Sequence, residues 1–104
     1  MIFELRTYSA HEGKLEALLR RFRDHTLRMF EKHGITSIGY WVSEQGTLIY
    51  ILSHPSRDEA KSNWDAFRAD PEWKKIAAES EANGKLVSRI DSVFMEATDF
   101  SAIR

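Results

Sequence analysis

The alternation of apolar and polar positions starts at the first residues. In Met1-Ile2-Phe3-Glu4-Leu5-Arg6-Thr7-Tyr8, Phe3, Leu5 and Thr7 fall on one side of a period-two strand, and Ile2, Glu4, Arg6 and Tyr8 on the other. The first side reads as a core face. The second puts an acid, a base and a phenol on a strand expected to be central. Unpaired buried charge is costly, so that side is expected either to meet water or to line an enclosed polar chamber. From Lys14 to His33 the period changes. Leu15, Leu18, Leu19, Phe22, Met29 and Phe30, with Thr26 in the slot between, predict a long amphipathic helix with a charged outer face, ended by Gly34. Ile35 to Ser43 reads as a strand with Ile38, Tyr40 and Val42 on one side and Gly39 and Trp41 on the other. Glu44-Gln45-Gly46 is a hairpin turn, and Thr47 to Ser53 is a strand apolar on both faces, the pattern of one covered on both sides.

Ser56 and Glu59 have the spacing of a capping box, opening a helix to about Ala69 that buries Ala60, Trp64 and Phe67. Asp70-Pro71 restarts the helix as N-cap and N1, with Trp73, Ile76 and Ala77 inward, and Asn83-Gly84 stops it. Leu86 to Ala97 is a last strand, with Leu86, Ile90 and Phe94 on one side and Val87, Arg89, Asp91, Val93 and Met95 on the other. The order β-α-β-β-α-β predicts an α+β, ferredoxin-like domain spanning residues 1–104: a four-stranded antiparallel sheet with helices on one face. The other face is bare, yet strand three is apolar there. A second copy packed through the sheet faces, a homodimer, is the expected cover.

Composition narrows the function classes. A chain of 104 residues holds one core. The net charge of −1 lacks the basic footprint of nucleic-acid binding, so no nucleic-acid partner is expected. The absence of cysteine excludes disulfides and thiolate chemistry and removes the commonest structural zinc ligand. No apolar run approaches the roughly 20 residues of a membrane helix, so no membrane insertion is expected. No secretory or lipidation signal is visible, none is expected before Met1, and a cytoplasmic location is the default.

The candidate chemistry lies on strand one. Glu4 and Arg6, two apart on one face, can pair with each other as structural ions, or can present an anion- or carbonyl-binding pair in a closed site of low dielectric. Tyr8, Tyr50 and Arg89 are expected to share that space and Trp41 to wall it. These six are the candidate ligand-binding residues, for an apolar or aromatic molecule bearing a carboxylate or carbonyl. Asp91, beside Arg89, is expected to face the same interior. His25 and His33 are secondary candidates. They lie eight apart on one helix, roughly 12 Å along its axis, and cannot chelate one ion. His33 reads as a partly cationic helix C-terminus, and His25, at the margin of the buried stripe, as a possible chamber residue. His11 and His54 are read as turn residues. Trp64 and Trp73, at helical apolar positions, read as core. No metal site, cofactor or catalytic residue is assigned, because no nucleophile motif or Gly-rich phosphate loop is present.

Glu4-Leu5-Arg6-Thr7-Tyr8, Gly13, His33-Gly34, Gly39-Tyr40-Trp41, Asp70-Pro71-Glu72-Trp73 and Thr98-Asp99-Phe100-Ser101 together resemble the NIPSNAP family pattern in order and spacing, over nearly the whole chain. The resemblance implies a dimeric α/β barrel, in which two ferredoxin-like sheets pack face to face. Two departures stand out: Ala97 and Ala102 occupy positions where prolines are frequent, and the stretch Asp58 to Asn63 is poorer in arginine. The resemblance implies no single activity. It leaves a small-molecule binder, a cofactor-independent monooxygenase or isomerase of the kind other dimeric α/β barrels form, and an interaction or scaffold protein.

Overall fold

The structure, a computed structural model, describes residues 1–104. Its strands are β1 (Ile2–Ala10), β2 (Thr36–Val42), β3 (Leu48–His54) and β4 (Val87–Met95), paired antiparallel in the order β2-β3-β1-β4. The helices are α1 (Leu15–Arg21), α2 (Leu27–Lys32), α3 (Arg57–Ala69) and α4 (Pro71–Ser80). The expected α+β, ferredoxin-like arrangement is what forms. No helix is long and apolar enough to cross a membrane.

The long first helix is not uniform. Between α1 and α2, Phe22–Thr26 forms a π-helical turn, in which the Leu27 N–H reaches back to the Phe22 carbonyl and the Thr26 hydroxyl donates to the Arg21 carbonyl at 3.3 Å. Such wide turns are rare and concentrate at functional positions. Here the turn places the Phe22 ring edge-on against Tyr8, Tyr40 and Tyr50, over the centre of the sheet. Gly34, at φ +73°, lets the chain leave α2 in a left-handed conformation that a side chain would resist.

The caps follow the sequence pattern. The Ser56 hydroxyl accepts from the Glu59 N–H at 3.1 Å, opening α3. Asp70 accepts the Glu72 N–H at 2.8 Å through one oxygen, opening α4 behind Pro71. Its other oxygen accepts from His33 Nε2 at 2.7 Å and lies 2.8 Å from Lys32 Nζ, tying the end of α2 to the start of α4. Lys32 foremost, then His33 and the Glu72 amide, hold the Asp70 carboxyl well below the usual carboxylate range.

Register decides which residues share a face. The helices cover the side carrying Glu4, Arg6 and Tyr8 of β1, Leu48, Tyr50, Leu52 and His54 of β3, and Ser92 and Phe94 of β4. The core lies there, around Leu18, Phe30, Tyr50, Leu52 and Trp64. This reverses one expectation: Phe3, Leu5 and Thr7 belong to the open face of the sheet, and the polar side of β1 lies beneath the chain's own helices. Alternation divides a strand into two sides but does not say which side the helices take. The open face carries Leu5, Ile49 and Ile51, with Trp41 at 54 % and Val93 at 51 % exposure. The Trp41 ring lies across Gly39, where an added Cβ would sit 2.6 Å from it, so only glycine permits that ring position.

Candidate functional site

Strand β1 points Glu4, Arg6 and Tyr8 into the helix layer, and each neighbour supplies a partner. Glu4, almost fully buried, accepts four hydrogen bonds. His54 Nε2 and Trp64 Nε1 donate to Oε1, each at 2.9 Å, and Arg6 Nη1 at 2.9 Å and Ser92 Oγ at 2.7 Å donate to Oε2. That is the full acceptor capacity of a carboxylate. Burial alone would raise the Glu4 pKa, but the bonds from His54, Trp64, Ser92 and Arg6 outweigh it and bring it down to about 2. Because the acceptor is a carboxylate, His54 Nε2 carries the proton, which leaves Nδ1 buried without a partner.

Arg6 is held as firmly but is not used up. Nε donates to the Tyr50 hydroxyl at 2.9 Å, Nη1 to Glu4, and Nη2 to the Tyr8 hydroxyl at 3.1 Å. The Tyr50 hydroxyl donates in turn to that of Tyr8 at 2.8 Å. The guanidinium stacks 4.3 Å from the Trp64 ring centre. Burial works against the charge, yet the Tyr8 and Tyr50 oxygens and Glu4 raise the Arg6 pKa, and burial keeps Tyr50 a neutral phenol. A guanidinium has five N–H donors, so two remain without a protein partner.

Arg6 also borders a cleft of about 460 Å³ between α3 and the edge strand β4. Its floor is Glu4, Arg6, Ser92 and Phe94, and its wall is Arg57, Asp58, Lys61, Trp64 and Arg68. Positions 57, 61, 64 and 68 recur at helical spacing, so α3 presents a stripe of three cations and an indole. Arg57 lies 3.9 Å from the Phe94 ring centre and has no carboxylate within salt-bridge distance, whereas Lys61 and Arg68 both approach Asp65, at 2.8 and 3.7 Å. The lining sums to four cations against two acids, a positive cleft with aromatic walls.

Of the residues singled out in the sequence, Glu4, Arg6, Tyr8 and Tyr50 come together here. Trp41 and Arg89 do not. Trp41 pairs with Ile49, and Arg89 and Asp91 pair with Ser9 and Thr7, all on the open face, where Arg89 Nε bonds Asp91 at 2.9 Å. Residues opposite one another in an antiparallel ladder share a face, and the register puts Phe94, Ser92 and Ile90 of β4 beside Glu4, Arg6 and Tyr8. His25 lies away from the group, 3.2 Å from Arg28, and His33 is engaged by Asp70. His54, expected in a turn, is the last residue of β3 and touches Glu4. Trp64 is core, as expected, but also donates its indole N–H to the site. No group of three or more His, Asp or Glu side chains is placed to hold a metal ion.

A ferredoxin-like α+β domain with a buried acid–base–phenol group beneath its central strand, opening on one positive cleft, describes the molecule. The NIPSNAP family pattern matches residues 3–102, and the chain belongs to that family. Solved structures agree with the fold. Protein Atu4242 from Agrobacterium tumefaciens is 24% identical with all of both chains covered and a TM-score of 0.87. A NIPSNAP family protein, Atu5224, from Agrobacterium tumefaciens strain C58 is 23% identical over 99% of this chain and 98% of its own, also with a TM-score of 0.87. A monooxygenase from the gene ActVA-Orf6 of Streptomyces coelicolor, in complex with Nanaomycin D, is 16% identical over 93% of this chain and 87% of its own, with a TM-score of 0.66. No curated protein matches the chain.

Proposed function

We propose that this NIPSNAP protein binds a small aromatic or apolar carboxylate in the α3–β4 cleft. The observation that carries this reading is the asymmetry of the buried pair: Glu4 has every acceptor site filled, while Arg6, which lines a positive cleft, keeps two N–H donors without a protein partner. A carboxylate matches a guanidinium's forked donors, Ser92 and Arg57 lie beside the same space, and Trp64 and Phe94 offer apolar walls. The alternative, a cofactor-independent monooxygenase, has support from the fold of the ActVA-Orf6 protein. It is weaker here because Tyr8, Phe22, Phe30 and Tyr50 fill the space beneath the middle of the sheet ring against ring, and the cleft that remains is open.

The test is a titration with benzoate and 1-naphthoate followed by tryptophan fluorescence and calorimetry. Saturable binding is expected. It should weaken about 10- to 100-fold, the worth of a charged hydrogen bond, in the Glu4→Gln/Arg6→Met double variant, which removes the anchor but not the packing. No saturable binding, or equal affinity in that variant, would refute the reading.

A second observation favours a homodimer. Trp41 and Val93 are about half exposed beside Leu5, Ile49 and Ile51, an apolar stretch on a sheet face that the chain's own helices leave uncovered. Two such faces packed together would bury on the order of 1,200–2,000 Å². Sedimentation at micromolar concentration should show a dimer, and Trp41→Lys should raise its dissociation constant at least tenfold by placing a charge in the seam. A wild-type protein that sediments as a monomer would rule the seam out.

A further inference from the structure

On the far side of the helix layer, a second group of charges has no role in the cleft above. Arg21, the last residue of α1, is 9 % exposed. Its Nη1 donates to the Ser80 hydroxyl at 3.1 Å, and its guanidinium lies 5.4 Å from the Trp73 ring centre. Its Nε is buried without any partner, and no carboxylate comes within salt-bridge distance of it. A buried cation lacking a counter-ion is costly to keep. Burial accordingly lowers the Arg21 pKa, with Glu81 the foremost charge opposing it from longer range.

The Arg21 backbone carbonyl accepts the Thr26 hydroxyl across the π turn, and Ser80, which holds the guanidinium, is anchored by donating to the Ala77 carbonyl at 2.9 Å. Arg21 and Ser80 border a cavity of about 280 Å³ between the π turn and α4. Around its mouth stand the exposed Arg20, Asp24 and Glu79, with His25 half-buried. Neither Asp24 nor Glu79 has a cation within salt-bridge distance. The arginines and acids of this lining cancel, two against two, but Arg21 is buried, and the rim, with Arg20 against Asp24 and Glu79, is left one charge negative.

We infer that this cavity is a binding site for a small zwitterion of the amino-acid type, its carboxylate on Arg21 and its ammonium toward Asp24 and Glu79. A carboxylate supplies the counter-ion that Arg21 lacks. The rim acids disfavour a multiply charged anion and favour a cationic group separated from the carboxylate by one or two carbons. The inference stands apart from the proposed role of the α3–β4 cleft and uses none of its residues.

The experiment follows the Arg21 Nε–H signal by ¹⁵N NMR during titration with glycine, sodium acetate and methylammonium chloride. Glycine should move the signal saturably. Acetate should do so at roughly two- to fivefold higher concentration, the worth of an exposed ion pair, and methylammonium should not. Asp24→Asn/Glu79→Gln should bring glycine to the level of acetate, while Arg57→Gln should leave glycine binding intact. Arg21→Met should abolish the response elsewhere in the cavity and be no less stable than the wild type. Acetate matching or exceeding glycine, no shift with either, or marked destabilisation by Arg21→Met would overturn the inference. The last result would show that Arg21 exists to hold Ser80 and Trp73.

Discussion

Glu4→Gln and Arg6→Met, made singly, should each cost the fold about 3–5 kcal/mol, the usual penalty for removing one partner of a buried ion pair. The glutamine has the shape of Glu4 but offers one acceptor oxygen where four donors converge, from His54, Trp64, Ser92 and Arg6, and it leaves the buried guanidinium without its counter-charge. The methionine fills the space of the Arg6 stem against Trp64, yet it leaves a carboxylate that is 1 % exposed with no cation. Made together, the two changes should cost clearly less than their sum, because neither then strands a charge. Urea denaturation of the four proteins closes the cycle, with a coupling of about 2 kcal/mol or more expected. Simple additivity would mean that the phenols and the imidazole, rather than the pair, carry the stability of this group. The same cycle explains the choice of the double variant for the binding experiment: it removes the anchor while sparing the scaffold.

The order of elements and both helix caps were legible because each rests on local chemistry: the period of apolar positions, a hydroxyl three residues before Glu59, and an aspartate before Pro71. The barrier came where one strand must be read against another. Alternation correctly puts Arg89 and Asp91 on one side of β4 and Trp41 on one side of β2, but it carries no register, and one residue of slip exchanges the faces. Arg89 was therefore grouped with Glu4 when it belongs with Ser9. β3 runs one residue past the expected end at Ser53, and that residue, His54, bonds Glu4. The cleft's cations were visible in principle: Arg57, Lys61, Trp64 and Arg68 fall on one helical stripe. Nothing in a single sequence places β4 beneath that stripe. The π turn had no such signal, since it depends on the Thr26 hydroxyl reaching the Arg21 carbonyl, and threonine in a helix ordinarily carries no such meaning.

Acid should unfold this protein through Glu4 more than through its surface carboxylates. The Glu4 pKa lies near 2 in the folded chain against 4.5 for an ordinary glutamate. The folded state therefore binds its proton more weakly than the unfolded state. The resulting stability is fully present above about pH 4.5 and is lost as pH falls toward 2, an integrated contribution of about 3 kcal/mol, with about 2 kcal/mol gone by pH 3. Asp70, Asp65 and Glu72 are also held below their ordinary range by cations, Lys32, Lys61 and Arg28 foremost, so they act in the same direction. Their partners stand at the surface, and salt screens them, whereas it screens the pair beneath Trp64 much less. Denaturation at about 0.5 M salt should thus retain most of Glu4's share while reducing theirs. Under those conditions the stability of the wild type should fall about 2 kcal/mol further between pH 6 and pH 3 than that of the Glu4→Gln/Arg6→Met variant, which has no titrating group at this position. Equal slopes would place the acid lability at the Asp70 junction of α2 and α4, and Asp70→Asn would then flatten the profile instead.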